Sequence, residues 1–124
     1  MTQEEKELLV RDLCARLPYG VMCQVDDGAA GLNDGKLVEI DISNEIELVR
    51  FDADYYWVAY IDDIKPYLFP ISCMTEEQKE DMVKSSCGIG SDKNVFDWYN
   101  KNHFDYRGLI PMGLAIEAPE GMYN

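Results

Sequence analysis

His103-Phe104-Asp105-Tyr106-Arg107-Gly108 packs an imidazole, a carboxylate, a phenol and a guanidinium into one short stretch. Aromatic rings beside an arginine are the side chains that carry most of the energy in protein–protein contacts. The stretch is therefore the leading candidate for a partner-binding surface, with His103, Asp105, Tyr106 and Arg107 as the residues that would bear it. The competing reading makes it the end of a helix, with Phe104 and Tyr106 buried and Arg107 paired to Asp105 or to a carbonyl oxygen.

Other chemistries find less support. Cys14, Cys23, Cys73 and Cys87 include no Cys-x-x-Cys pair and His103 is the single histidine, so no zinc-ligand spacing is present. A cysteine nucleophile needs a base beside it and a third group to orient that base, and no spacing brings a thiol to His103. The acid clusters Asp26-Asp27, Asp52-Ala53-Asp54 and Asp62-Asp63 lack the central glycine and terminal glutamate of a calcium loop. Gly88-Ile89-Gly90-Ser91-Asp92-Lys93 lacks the spacing of a phosphate-binding loop and follows no apolar strand. The sequence thus assigns no catalytic residue, no metal and no cofactor.

Charge narrows the partners. The chain carries 24 Asp and Glu against 11 Lys and Arg, a net charge of −13, and acids outnumber bases in both halves. A field of that sign repels phosphate, which argues against direct binding of nucleic acid or of an anionic membrane. It suits a basic protein partner, mimicry of nucleic acid toward a DNA-binding protein, or simple solubility. The start, Met-Thr-Gln-Glu-Glu-Lys-Glu, has no apolar signal segment, and no apolar run approaches the ~20 residues of a membrane span. Reduced thiols in a cytoplasm are the expectation. With 47% apolar and 11% aromatic residues the chain can bury a core, and its length fits a single domain over 1–124.

The elements that must position these residues read as follows. Thr2 and Glu5 form a capping box for a first helix, whose apolar face is Leu8, Leu9, Val10, Leu13 and Leu17; Glu4, Lys6, Glu7, Arg11 and Arg16 are expected on its solvated side. Pro18 and Gly20 end it. From Val21 to Asp62 the apolar period shortens to two, giving strands at Val21–Val25, Leu37–Ile42, Ile46–Phe51 and Tyr55–Ile61. Asn33-Asp34-Gly35 and Ser43-Asn44-Glu45 are expected as turns. Lys65-Pro66-Tyr67-Leu68-Phe69-Pro70 has two prolines without a ladder donor and is expected as an extended crossing, not a central strand. Thr75 and Gln78 cap a second helix to about Lys84, Ser85–Asp92 is a loop, and a third helix covers about 94–102 with Val95, Trp98 and Tyr99 on one face. The remainder, rich in Gly and Pro, is expected to wrap the domain irregularly. The fold class is α+β: an N-terminal helix, a four-stranded antiparallel meander or small SH3-like barrel, two C-terminal helices and a wrapping tail.

Several segments also resemble a family of small acidic proteins of gut anaerobes and their prophages and mobile elements. They are Lys65-Pro66-Tyr67-Leu68-Phe69-Pro70, Met74-Thr75-Glu76-Glu77-Gln78-Lys79, His103-Phe104-Asp105-Tyr106-Arg107-Gly108-Leu109-Ile110 and Glu117-Ala118-Pro119-Glu120-Gly121-Met122-Tyr123. The likeness spans Leu8 to the C-terminus and is firmest after Lys65. It implies a cytoplasmic, phage-associated accessory protein and supplies no catalytic residue. Together these readings favour a non-enzymatic protein-interaction module. An acidic nucleic-acid mimic is the first alternative, and a small enzyme using a carboxylate or Cys–His pair is the second.

Overall fold

Thr2 begins the molecule's first helix as its sequence requires. Its hydroxyl accepts from the Glu5 N–H and the Glu5 carboxylate accepts from the Thr2 N–H, so two otherwise free donors are satisfied where α1 (Gln3–Arg16) starts. A single 3-10 turn, Leu17–Tyr19, then closes at Gly20 and delivers the chain to the sheet. The computed structural model describes residues 1–26, 28, 31–41, 48–52, 58–86 and 91–123. The turn expected at 43–45, Cys87 and the first half of the Gly88–Lys93 segment lie outside them.

The strands β1 (Met22–Asp26), β2 (Leu32–Asp41), β3 (Leu48–Asp52) and β4 (Val58–Tyr60) pair in succession and antiparallel. A 3-10 turn, Ile61–Asp63, leads from β4 into β5 (Ile64–Pro70), which returns to pair with β1. The order β4-β3-β2-β1-β5-β6 leaves the sheet open, so the meander forms and a closed barrel does not. The curl is still strong enough that β4 and the end of β1 line a common groove. Two short strands of the tail, β6 (Phe104–Asp105) and β7 (Ile116–Glu117), pair parallel with β5, which makes the sheet mixed. The helices α2 (Glu76–Ser85) and α3 (Ser91–Lys101) complete an α+β fold.

At two places the chain departs from what its local sequence suggests. Asn33-Asp34-Gly35 is not a turn but part of β2, opposite Val25, Gln24 and Cys23. The reversal falls between β1 and β2, where Gly28 and Gly31 take the left-handed conformation that only glycine adopts without strain. Lys65–Pro70 is a strand with partners β1, β6 and β7, although Pro66 and Pro70 lack a donor. Its ladder is carried by other groups: the Phe69 N–H donates to the His103 carbonyl at 2.8 Å and the Leu68 carbonyl accepts from Ala118 N–H at 2.8 Å. The tail is accordingly less irregular than its composition suggests.

The main core forms where Leu9 and Leu13 of α1 meet Val21, Cys23 and Val25 of the first strand region, Ile64 and Leu68 of β5, and Leu109 and Leu114 of the tail. A smaller cluster joins Met74, Trp98 and Phe104, with Phe69 against it. Both clusters draw on the segment after α3, so that segment is held from two sides.

Candidate functional site

On α1, positions 9, 12, 13 and 16 share one side at helical spacing, so Asp12 and Arg16 point inward with Leu9 and Leu13. Arg16, expected on the solvated side, is fully buried, and so is Asp12. Arg16 Nε donates to Asp12 Oδ2 at 2.8 Å and Arg16 Nη2 donates to the Phe104 carbonyl at 2.6 Å. The other carboxylate oxygen of Asp12 accepts from Arg107 Nε at 3.1 Å. One buried carboxylate thus binds two arginines from segments far apart in sequence. A buried charge is tolerated only when paired in this way, and even so Arg16 Nη1 has no hydrogen-bond partner among the described residues.

Around this ion pair the rings are arranged in a connected series. Tyr106 contacts Phe96 at 5.2 Å and Tyr99 at 5.5 Å between centroids, both from α3 at a spacing of three. The Arg107 guanidinium lies 4.8 Å from the Tyr106 centroid and its Nη2 donates to the Tyr106 hydroxyl at 2.9 Å. Arg16 lies 5.5 Å from the same ring. Cations over ring faces and offset ring pairs both add to the burial energy. Phe96, at the outer end, is 49% exposed. Arg107 keeps 20% of its side chain exposed.

His103 and Asp105 occupy the inner side. His103 is 8% exposed, has a backbone φ of 63° and stacks on Tyr123 with centroids 3.7 Å apart. Burial, with a further contribution from the Arg16 charge, lowers its pKa from 6.5 to about 4, so the ring is neutral near pH 7. Its Nδ1 has no partner among the described residues. Asp105 is also buried and uses both oxygens, accepting from the Leu109 and Ile110 N–H groups at 2.9 Å each. Arg107 is therefore paired to Asp12, not to Asp105. Tyr123 closes the inner side: its hydroxyl accepts from Met22 N–H at 2.9 Å and donates to the Tyr67 carbonyl at 2.7 Å, and burial pushes its pKa up.

The four residues singled out from the sequence are thus brought together but not onto one surface. Tyr106 and Arg107 reach solvent, whereas His103 and Asp105 hold the segment in place. Asp12, Arg16, Phe96, Tyr99 and Tyr123 belong to the same assembly and were missed. The spacing of Asp12 and Arg16 with Leu9 and Leu13 was the available signal for two of them. The buried thiol of Cys23 is pushed up by burial and by the Asp12 charge, and Cys14 is also raised, so both hold their protons, the less nucleophilic form. Among the described residues no group of three or more His, Cys, Asp or Glu is placed to hold a metal ion, and no helix is long and apolar enough to cross a membrane. In comparison with known proteins, the chain matches no family model, no curated protein and no solved structure.

Proposed function

We propose that this chain is a non-enzymatic protein-interaction module and that Phe96, Tyr106 and Arg107 form its contact surface. One observation carries the reading: a half-exposed phenylalanine rests on a tyrosine whose other neighbours are a second tyrosine and two arginines, one of the arginines bonded to its hydroxyl. Such a group is already ordered, so little side-chain entropy is lost when a partner covers it. His103 and Asp105 take part by positioning the segment, not by contact. The cytoplasmic, phage-associated setting implied by the resemblance belongs to the same proposal.

Affinity capture of the tagged protein from native lysate, with and without nuclease, tests whether such a partner exists. A stoichiometric protein that survives nuclease supports the module. Recovery of nothing at near-physiological salt, over repeated captures with reversible crosslinking, would argue against it.

A further inference from the structure

The antiparallel ladder between β1 and β5 runs from Val25–Ile64 to Cys23–Pro66 and stops there. One residue further on, Met22 and Tyr67 are joined by a side chain of the tail. The Tyr123 hydroxyl accepts from Met22 N–H at 2.9 Å and donates to the Tyr67 carbonyl at 2.7 Å. Its ring lies flat on His103, with centroids 3.7 Å and planes 14° apart, and edge-on to Phe69. The backbone tie before it is Ala118 N–H to the Leu68 carbonyl. Between the two ties Pro119, Glu120 and Gly121 are exposed, and Met122 N–H turns the chain back by donating to the Pro119 carbonyl. Among the described residues, the hydrogen bonds that fasten 119–123 to the sheet are thus those of one phenol, and that phenol rests on one imidazole.

A charge on His103 stands without a counter-charge among the described residues. Arg16 of α1 is a cation whose field reaches the ring, and its Nη1 is itself unpartnered among them. Lys101, in the last turn of α3, is another cation. The acids of the region are spent: Asp12 on Arg16 and Arg107, Asp105 on the Leu109 and Ile110 N–H groups. Glu117 and Glu120 of the tail stand in water, and Cys23, Tyr67 and Tyr123 all hold their protons more tightly than usual. A buried group in that position stays neutral or moves to solvent. We infer that segment 119–123 is an acid-released latch: a proton on His103 undoes the Tyr123 stack, and Tyr123 leaves the junction of β1 and β5 while α1 and the sheet stay folded. Burial and the Arg16 charge keep the ring neutral down to about pH 4, so the latch is closed above pH 6.5 and opens as the pH falls toward 4. Closure and proton uptake oppose each other, so whatever weakens the latch must raise the proton affinity of His103. The device does not depend on the Phe96–Tyr106–Arg107 surface.

The test is an NMR titration of the isotope-labelled protein from pH 7 to below pH 4, following the His103 and Tyr123 rings and amide exchange at Met22. Leu9 and Leu13 report on the core. The expected result is that Met22 N–H loses protection and the Tyr123 signals move at the midpoint of His103, with Leu9 and Leu13 still protected. Tyr123→Ala, which removes the latch, should raise the proton affinity of His103 about tenfold or more. Tyr123→Phe, which keeps the ring and loses the hydroxyl, should raise it less, and serves alone if the alanine variant does not fold. His103→Asn should abolish the acid step at Met22. Loss of protection at Met22 and in the core together, a Met22 N–H still protected once His103 is charged, a His103 midpoint unmoved by the Tyr123 substitutions, or an acid step that survives His103→Asn would each overturn the latch.

Discussion

Asp12 is the residue on which most of the buried chemistry converges. Removing it leaves Arg16 fully buried without its carboxylate, so Asp12→Ala is expected to cost about 3–5 kcal/mol of folding stability in urea denaturation, the range for a broken buried pair. Arg107→Ala, whose side chain reaches solvent, should cost clearly less. Equal losses would mean that the two arginines are not differently buried. His103 supplies a second prediction. The unfolded chain takes up a proton near pH 6.5 that the folded chain refuses until about pH 4. This group's contribution is therefore intact above pH 6.5 and falls as the pH drops toward 4, by about 2 kcal/mol between pH 7 and pH 5. His103→Asn, which tolerates the left-handed backbone, should lose that part of the pH dependence while the carboxylate titrations common to both proteins remain. Parallel stability curves for the two proteins between pH 7 and pH 5 would contradict the account.

At the scale of elements, what could be read from sequence was what is decided locally. Both capping boxes are present with the residues expected, because Thr2–Glu5 and Thr75–Gln78 satisfy each other within one turn. The strand at Ile64–Pro70 was hidden because prolines speak only of a missing donor, whereas partners lying tens of residues away decide the pairing. The turn expected at Asn33-Asp34-Gly35 failed for a related reason: the neighbouring Gly28 and Gly31 offered the reversal instead, and β2 absorbed the stretch. Arg16 was misplaced because charge was read as solvation, although its i−4 neighbour is an acid. Of the candidate site, Tyr106 and Arg107 were visible as types; the burial of His103 and Asp105 depends on Tyr123 and on the turn to Ile110, which no spacing reveals. Two predictions belong here. Tyr123→Phe strands the Met22 N–H and the Tyr67 carbonyl and should cost about 1–3 kcal/mol, measured by thermal or urea unfolding. The helix α2 buries no residue fully, whereas α1 buries four, so hydrogen exchange should be faster in α2 than in the core-facing turns of α1. Comparable protection in both helices would show that α2 is held by more than its cap and the bond between Trp98 Nε1 and Asp81.

On the scale of the whole molecule, the acidic charge and the ring series divide the work. In the proposed reading a net charge of −13 would oppose phosphate-bearing partners and favour basic ones, while the segment after α3 is fixed from inside by α1 and β5 and leaves a short aromatic and arginine surface outside. The most direct test of this account is partner retention by Phe96→Ser compared with the unaltered protein, at matched thermal stability and salt. Phe96 is half exposed and carries none of the buried hydrogen bonds described above, so its loss should leave the fold intact. The account predicts that the captured partner is lost by about tenfold or more, the signature of a contact worth over about 1.4 kcal/mol. Undiminished retention by a correctly folded Phe96→Ser would contradict it.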